Sequence, residues 1–286
     1  MGKLAEKKHW DSVYEEFEEN NLKHKQNRYK NILKILVKIV FGKKIIEYIR
    51  NYAGYLIWDI LYMKYLPNTR GAKILEIGSA PGNQLVSFNK KFGFIPYGIE
   101  YSEIGVELNK KIFNKNELNP DNVIYGDFLS EEFHNLYKGF FDIVVSNGFI
   151  EHFTDVDEIV QKHINLLRKG GYLVIGIPNL RGFNYILKRF FYKEDLPRHN
   201  INIMKKEKFA QLFKRKDLTT LFCNYIGTFN SLLFNTKRDS SKIFVLSLLN
   251  KFQLLLNIAF RLLFKDKGAE SSWFSPYLFY IGIKTE

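Results

Sequence analysis

The chain has 286 residues and a net charge of +13, from 43 Lys and Arg against 30 Asp and Glu. With 46% hydrophobic and 26% charged residues it is neither disordered nor fibrous. Cys223 is the only cysteine, which excludes a disulfide framework and a cysteine-held zinc, so no metal is expected. The positive balance suits an anionic partner, a nucleic acid or a membrane, or else a Lys-rich set of solvated faces. It is richest over Lys23–Lys44 and Lys205–Lys216, with a smaller cluster at Lys188 and Arg189. The first 25 residues are charged throughout, show no secretory signal and point to the cytoplasm.

Residues 1–66 read as a helical extension. Trp10, Tyr14 and Phe17 are spaced for one face of a short helix, and residues 28–50 form a basic amphipathic pattern. Gly54 interrupts a further helical run, Tyr55–Leu66, closed by Pro67 and Gly71. These helices could lid a site, lie on a membrane or cover a sheet edge. Residues 67–286 read as one domain in which strands and helices alternate. Strands are expected at Lys73–Ile77, Ile95–Glu100, Asn122–Tyr125, Phe141–Ser146, Tyr172–Ile177, Thr219–Tyr225 and Tyr277–Ile283. Ser102 is placed to cap a helix running to about Lys115, and Thr154–Asp157 is a capping-box-like start for a helix stopped by Gly170 and Gly171. The fold class is α/β, a doubly wound and mostly parallel seven-stranded sheet.

A helical insertion at about 230–272 precedes the last strand. Its apolar run, Ile243–Phe264, carries six polar residues that fall within roughly half the circumference of a helix. The charges inside make it a poor spanning helix and a fair interfacial one. Packing on its own core or on a partner subunit is the other reading.

The organising stretch is Lys73–Asn83. A short buried strand meets a turn with glycines at Gly78 and Gly82, and a helix resumes from about Asn83. Such a turn lets a ligand lie against bare backbone and in front of a helix N-terminus. Glu76 at the strand end suits a cationic or amine-bearing ligand. The segment resembles motif I of the class I S-adenosylmethionine (SAM)-dependent methyltransferases, with Glu76, Gly78, Ala80 and Gly82 standing at the motif positions and alanine in place of the middle glycine.

The resemblance implies SAM as cofactor and a Rossmann-like methyltransferase fold. It makes Glu76, Gly78, Ser79, Ala80 and Gly82 the loop residues. Glu100, 22 residues beyond Gly78, becomes the acceptor for the ribose diol, with Tyr101 packing on the adenine. Asp127 takes the adenine amine and Phe128 stacks on the ring. Asn147 follows strand four, then Glu151 and His152. The last residue is the first candidate base near the methyl, and His199, on the segment after strand five, the second. The leading function is O-methylation of a glycan, a lipid-linked intermediate or a small metabolite, with peripheral contact to an anionic membrane. An RNA methyltransferase is the alternative suggested by charge, although Asn147-Gly-Phe149 departs from the segment base methylation commonly uses there. A nicotinamide-dependent enzyme would want a third glycine in the loop. A catalytically silent, membrane-associated scaffold is the non-enzymatic reading.

Overall fold

The computed structural model describes residues 2–25, 51–236 and 240–286. The basic amphipathic segment expected over 28–50 lies outside the described residues.

Strands β1 (Lys73–Ile77), β2 (Ile95–Glu100), β3 (Val123–Tyr125), β4 (Phe141–Asn147) and β5 (Leu167–Pro178) run parallel, and β6 (Leu218–Ile226) and β7 (Tyr277–Lys284) complete the sheet. The order is β3-β2-β1-β4-β5-β7-β6, with β7 antiparallel to both neighbours. The chain leaves β1 toward one edge and returns to β4 on the other side, which opens a crevice at the carboxyl ends of those strands. Helices in chain order are α1 (Lys7–Lys25), α2 (52–65), α3 (Asn83–Phe92), α4 (Glu103–Lys115), α5 (Glu131–Tyr137), α6 (Val156–Leu166), α7 (Gly182–Tyr192), α8 (Lys206–Gln211) and α9 (Ser240–Phe264).

Alternation along each strand feeds two cores. Ile74, Val145 and Ile281 pack with Leu56 and Tyr62 of α2, Phe88 of α3 and Phe113 of α4. Leu75, Val144 and Ile175 pack on the other side with Phe133 of α5, Ile159 of α6 and Phe209 of α8. Each fully buried aliphatic side chain there contributes about 1.5–3 kcal/mol.

Three expectations are corrected. Gly54 does not interrupt its helix: α2 starts at Tyr52, caps on Asn51, whose side chain accepts the Gly54 N–H, and runs through a π-helical stretch, Leu56–Leu61. Thr154–Asp157 forms no capping box. The Thr154 hydroxyl instead bonds Asp155 and faces Gly2, where the N-terminus is tied down by a bridge between Lys3 and Phe153. Helix α6 ends at Leu166, ahead of the glycines, because Leu167 already pairs with Phe141 and Lys284 Nζ takes the carbonyls of Ile164 and Leu167.

Helix α9 turns its polar stripe inward. Gln253 is 3% exposed, accepts the Ser231 N–H and donates to the Phe229 carbonyl. Asn257 accepts the N–H of Tyr52 at the start of α2, and the Arg261 guanidinium lies over the Tyr55 ring. The apolar face points away from the domain, with Phe244 70%, Leu255 62% and Leu263 72% exposed. By length and composition α9 could cross a membrane. Its polar contacts lay it along the domain instead.

Candidate active site

The crevice holds a cavity of about 310 Å³ whose walls come from the ends of β1, β2 and β4 and from α1. Of the predicted cofactor residues, Gly78, Ala80, Glu100, Tyr101, Asp127, Phe128 and Asn147 line it. Glu76, Ser79 and Gly82 lie behind that wall. The Ser79 hydroxyl turns inward and accepts from Asn109 Nδ2 at 2.7 Å. Gly78 has φ +69° and faces Phe149, the kind of bare backbone a ligand can approach.

Glu100 is held before any ligand arrives. Oε1 accepts the N–H groups of Tyr101 (3.0 Å) and Ser102 (2.9 Å), and Oε2 accepts the Tyr14 hydroxyl at 3.0 Å. Burial raises its pKa, and these donors oppose that. Ser102 caps α4 through the Gly105 N–H, so a helix start fixes the same turn. Asp127 accepts the Leu129 N–H on one oxygen and pairs with Lys3 on the other at 2.9 Å. Lys3 also lies over the Tyr101 ring. Phe128 is buried edge-on against Phe149, 5.5 Å away.

Of the roles open to the N-terminal helices, α1 takes that of cover for this cavity. Trp10, Val13, Tyr14 and Phe17 all line it, so α1 is its lid. The spacing of Trp10, Tyr14 and Phe17 carried the signal for a helix face, while nothing in it names Glu100 as the partner, 86 residues away.

Glu76 is 4% exposed, and its Oε2 is buried without a hydrogen-bond partner among the described residues. Burial, with the Glu100 charge adding to it, lifts its carboxyl from an ordinary 4.5 to about 8. Between those two values the folded chain keeps a proton that the unfolded chain has lost, so this group's contribution to stability falls as pH rises through that window. Glu76→Gln stays neutral, so its Tm should match wild type near pH 4.5 and exceed it increasingly toward pH 8. Thermal melts of both proteins across that range check this, and a Tm difference that does not grow with pH contradicts it.

A second cavity, of about 460 Å³, adjoins the first, and Asn147, Gly148 and His152 belong to both. Glu151, Lys188 and His199 line the second only. The structure thus brings the two predicted base candidates together, with ring centroids 4.7 Å apart. Burial pushes the His152 imidazole down to about 4, helped by His199, and lowers His199 as well. Burial lifts the Glu151 carboxyl to about 8. Lys188 Nζ is buried and paired with Asp195 at 2.6 Å.

These residues fit SAM: a glycine turn with positive φ, a preorganised carboxylate for a diol, and aromatic walls for a base. Residues 48–222 match a family model described as a methyltransferase domain. No curated protein matches the chain. Among solved structures, it is similar to a Galdieria sulphuraria protein assigned as a sarcosine dimethylglycine methyltransferase, at 18% identity and TM-score 0.54, covering 82% of this chain and 85% of that one. It is similar to geranyl diphosphate C-methyltransferase of Streptomyces coelicolor A3(2), solved with Mg2+, geranyl diphosphate and S-adenosyl-L-homocysteine, at 14% identity and TM-score 0.52, covering 81% and 78%. It is also similar to phosphoethanolamine N-methyltransferase 2 of Haemonchus contortus, at 16% identity and TM-score 0.53, covering 87% and 60%.

Proposed function

The chain belongs to the methyltransferase-domain family of SAM-dependent enzymes, and from that premise we propose that it methylates a hydroxyl oxygen of a small or lipid-borne acceptor seated in the second cavity. The observation that carries this is the shared wall: His152 faces both the cofactor cavity and the adjoining one, as an acceptor must lie beside the methyl.

Bound SAM supplies a methyl group made electrophilic by its sulfonium. The remaining work belongs to the chain. Glu100 holds the ribose diol and Asp127 the adenine amine. Helix α1 excludes water. A hydroxyl, unlike a free amine, must shed a proton in the reaction. His152, His199 and Glu151 line the acceptor cavity beside this wall, and polar groups placed to ease that proton loss favour an oxygen acceptor. SAM with a labelled methyl, incubated with the purified protein and extract of cells lacking it, should label a lipid, glycan or small-molecule fraction. Label confined to RNA would overturn the acceptor reading.

The exposed faces of α9 and α7 favour a lipid-borne acceptor, docked from an anionic membrane surface. Phe183, Ile186 and Phe190 of α7 are exposed beside α9, and Lys242 lies over the Phe190 ring. An exposed apolar face that carries Lys251 within it and Lys242 against Phe190, in a chain of charge +13, matches the headgroup region of anionic lipid better than a second cationic copy. Lys188 of α7 and Leu233, beside α9, wall the acceptor cavity. The full chain should co-sediment with phosphatidylglycerol vesicles at low salt, and the combined Phe244→Ser, Leu248→Ser and Leu255→Ser variant should bind at least tenfold more weakly. Wild-type protein that ignores these vesicles would refute the membrane reading.

A further inference from the structure

We propose that Glu151, His152 and His199 bind one divalent first-row transition-metal ion at the wall of the acceptor cavity. One ligand atom from each lies within 4.8 Å of the others. Metal bonds of 2.0–2.2 Å at tetrahedral angles hold donors about 3.4 Å apart, so the widest pair needs to close by up to about 1.4 Å, which side-chain rotation supplies.

The two imidazoles are held the way ligands are held. His152 Nδ1 lies 2.7 Å from the Arg198 carbonyl, and His199 Nδ1 lies 2.9 Å from the Asp195 carbonyl. Each Nδ1–H donates to backbone, which fixes the tautomer and leaves the lone pair on Nε2. Glu151 supplies the independent sign that a ligand belongs here. It is 1% exposed, and neither carboxylate oxygen has a hydrogen-bond partner among the described residues. Oε1 lies 3.8 Å from His152 Nε2. A buried carboxylate without donors is costly, and a cation between it and the imidazoles removes that cost.

The backbone keeps the three together. Glu151 and His152 are neighbours on the single 3-10 turn Ile150–His152. The Glu151 carbonyl accepts the Asn200 N–H at 2.7 Å, and Asn200 Nδ2 donates to the Phe153 carbonyl, which ties the segment carrying His199 to this turn. The nearby cations Lys188 and Arg198 are both engaged by Asp195, at 2.6 and 3.6 Å.

Two imidazoles and one carboxylate suit Mn2+, Fe2+, Co2+ or Zn2+ better than Mg2+ or Ca2+, and three protein ligands leave positions open for water or an acceptor oxygen. The site's role rests on the methyl-transfer reading above. An acceptor hydroxyl on the ion becomes more acidic and loses its proton to solvent. The oxygen lone pair then forms the O–CH3 bond while the C–S bond breaks, its electron pair remaining on sulfur.

The test uses the untagged full chain, stripped with chelator and titrated with Co2+ alone, followed by visible absorption and by calorimetry. SAM is titrated into the same samples. Wild type should bind one Co2+ per chain, and His199→Ala and Glu151→Gln should each bind it at least 100-fold more weakly while keeping SAM affinity. If His199→Ala also loses SAM, its fold has failed and Glu151→Gln, which keeps the shape, decides. Absence of saturable Co2+ binding, or unchanged binding in Glu151→Gln, overturns the site. SAM binding without Co2+ binding removes the metal and leaves the methyltransferase reading intact. Co2+ binding without SAM binding keeps the site and removes its role.

Discussion

Glu100→Gln should weaken SAM binding by about 100-fold while leaving the fold intact. The wild-type carboxylate is fixed by the N–H groups of Tyr101 and Ser102 and by the Tyr14 hydroxyl, so it meets a diol without rearranging. Hydrogen bonds to a charged group are worth about 1.5–3 kcal/mol each, and a net loss of about 3 kcal/mol corresponds to roughly a hundredfold in Kd. An amide keeps one acceptor for the two backbone donors and offers its NH2 to Tyr14, so the circular dichroism spectrum and melt should stay close to wild type. Calorimetric titration measures the affinity. An affinity within threefold of wild type would remove Glu100 from the ribose.

Gly82→Ala should both destabilise the protein and abolish tight SAM binding. Gly82 sits at φ +93°, and a Cβ there would lie 2.1 Å from Asn109 Oδ1 and 2.9 Å from its Cγ. Asn109 is fully buried, and its Nδ2 donates to the Ser79 hydroxyl, so it cannot swing aside without releasing the loop. The left-handed backbone costs a residue with a Cβ about 1–2 kcal/mol, and disturbing a buried amide adds about 1–3 kcal/mol. A total of about 3 kcal/mol lowers Tm by roughly 6–12 °C in a domain of this size. Gly71→Ala is the control: its φ is +83°, with nothing within 4 Å of the added carbon, so it carries backbone strain alone. Equal melts for the two variants would refute the packing argument.

The sheet was legible because most of its strands carry a dense apolar run, such as Ile143–Val145 and Leu173–Ile175. Phe141–Ser146 and Tyr277–Ile283 each fall within one residue of the observed β4 and β7. The loop from Gly78 to Gly82 was legible for the same local reason, since glycine spacing reports backbone shape. Features set by partners distant in sequence were not. Nothing near Leu166 announces that Lys284 will take its neighbours' carbonyls and end the helix. The wheel of α9 showed two faces and left open which of them meets the domain. The polar stripe goes inward because Tyr52, Phe229 and Ser231 need its amides. Ser79 was placed correctly in the loop, yet its side chain serves Asn109. Glu151 passed as a neighbour of His152, and its pairing with His199, 48 residues on, required the fold.

The account stands on SAM occupying the cavity beneath α1, and one titration tests that directly. Purified full-length protein, titrated with SAM in a calorimeter below pH 8, should bind one equivalent saturably. No saturable binding of SAM, with tight binding of NADH under the same conditions, would contradict the central claim.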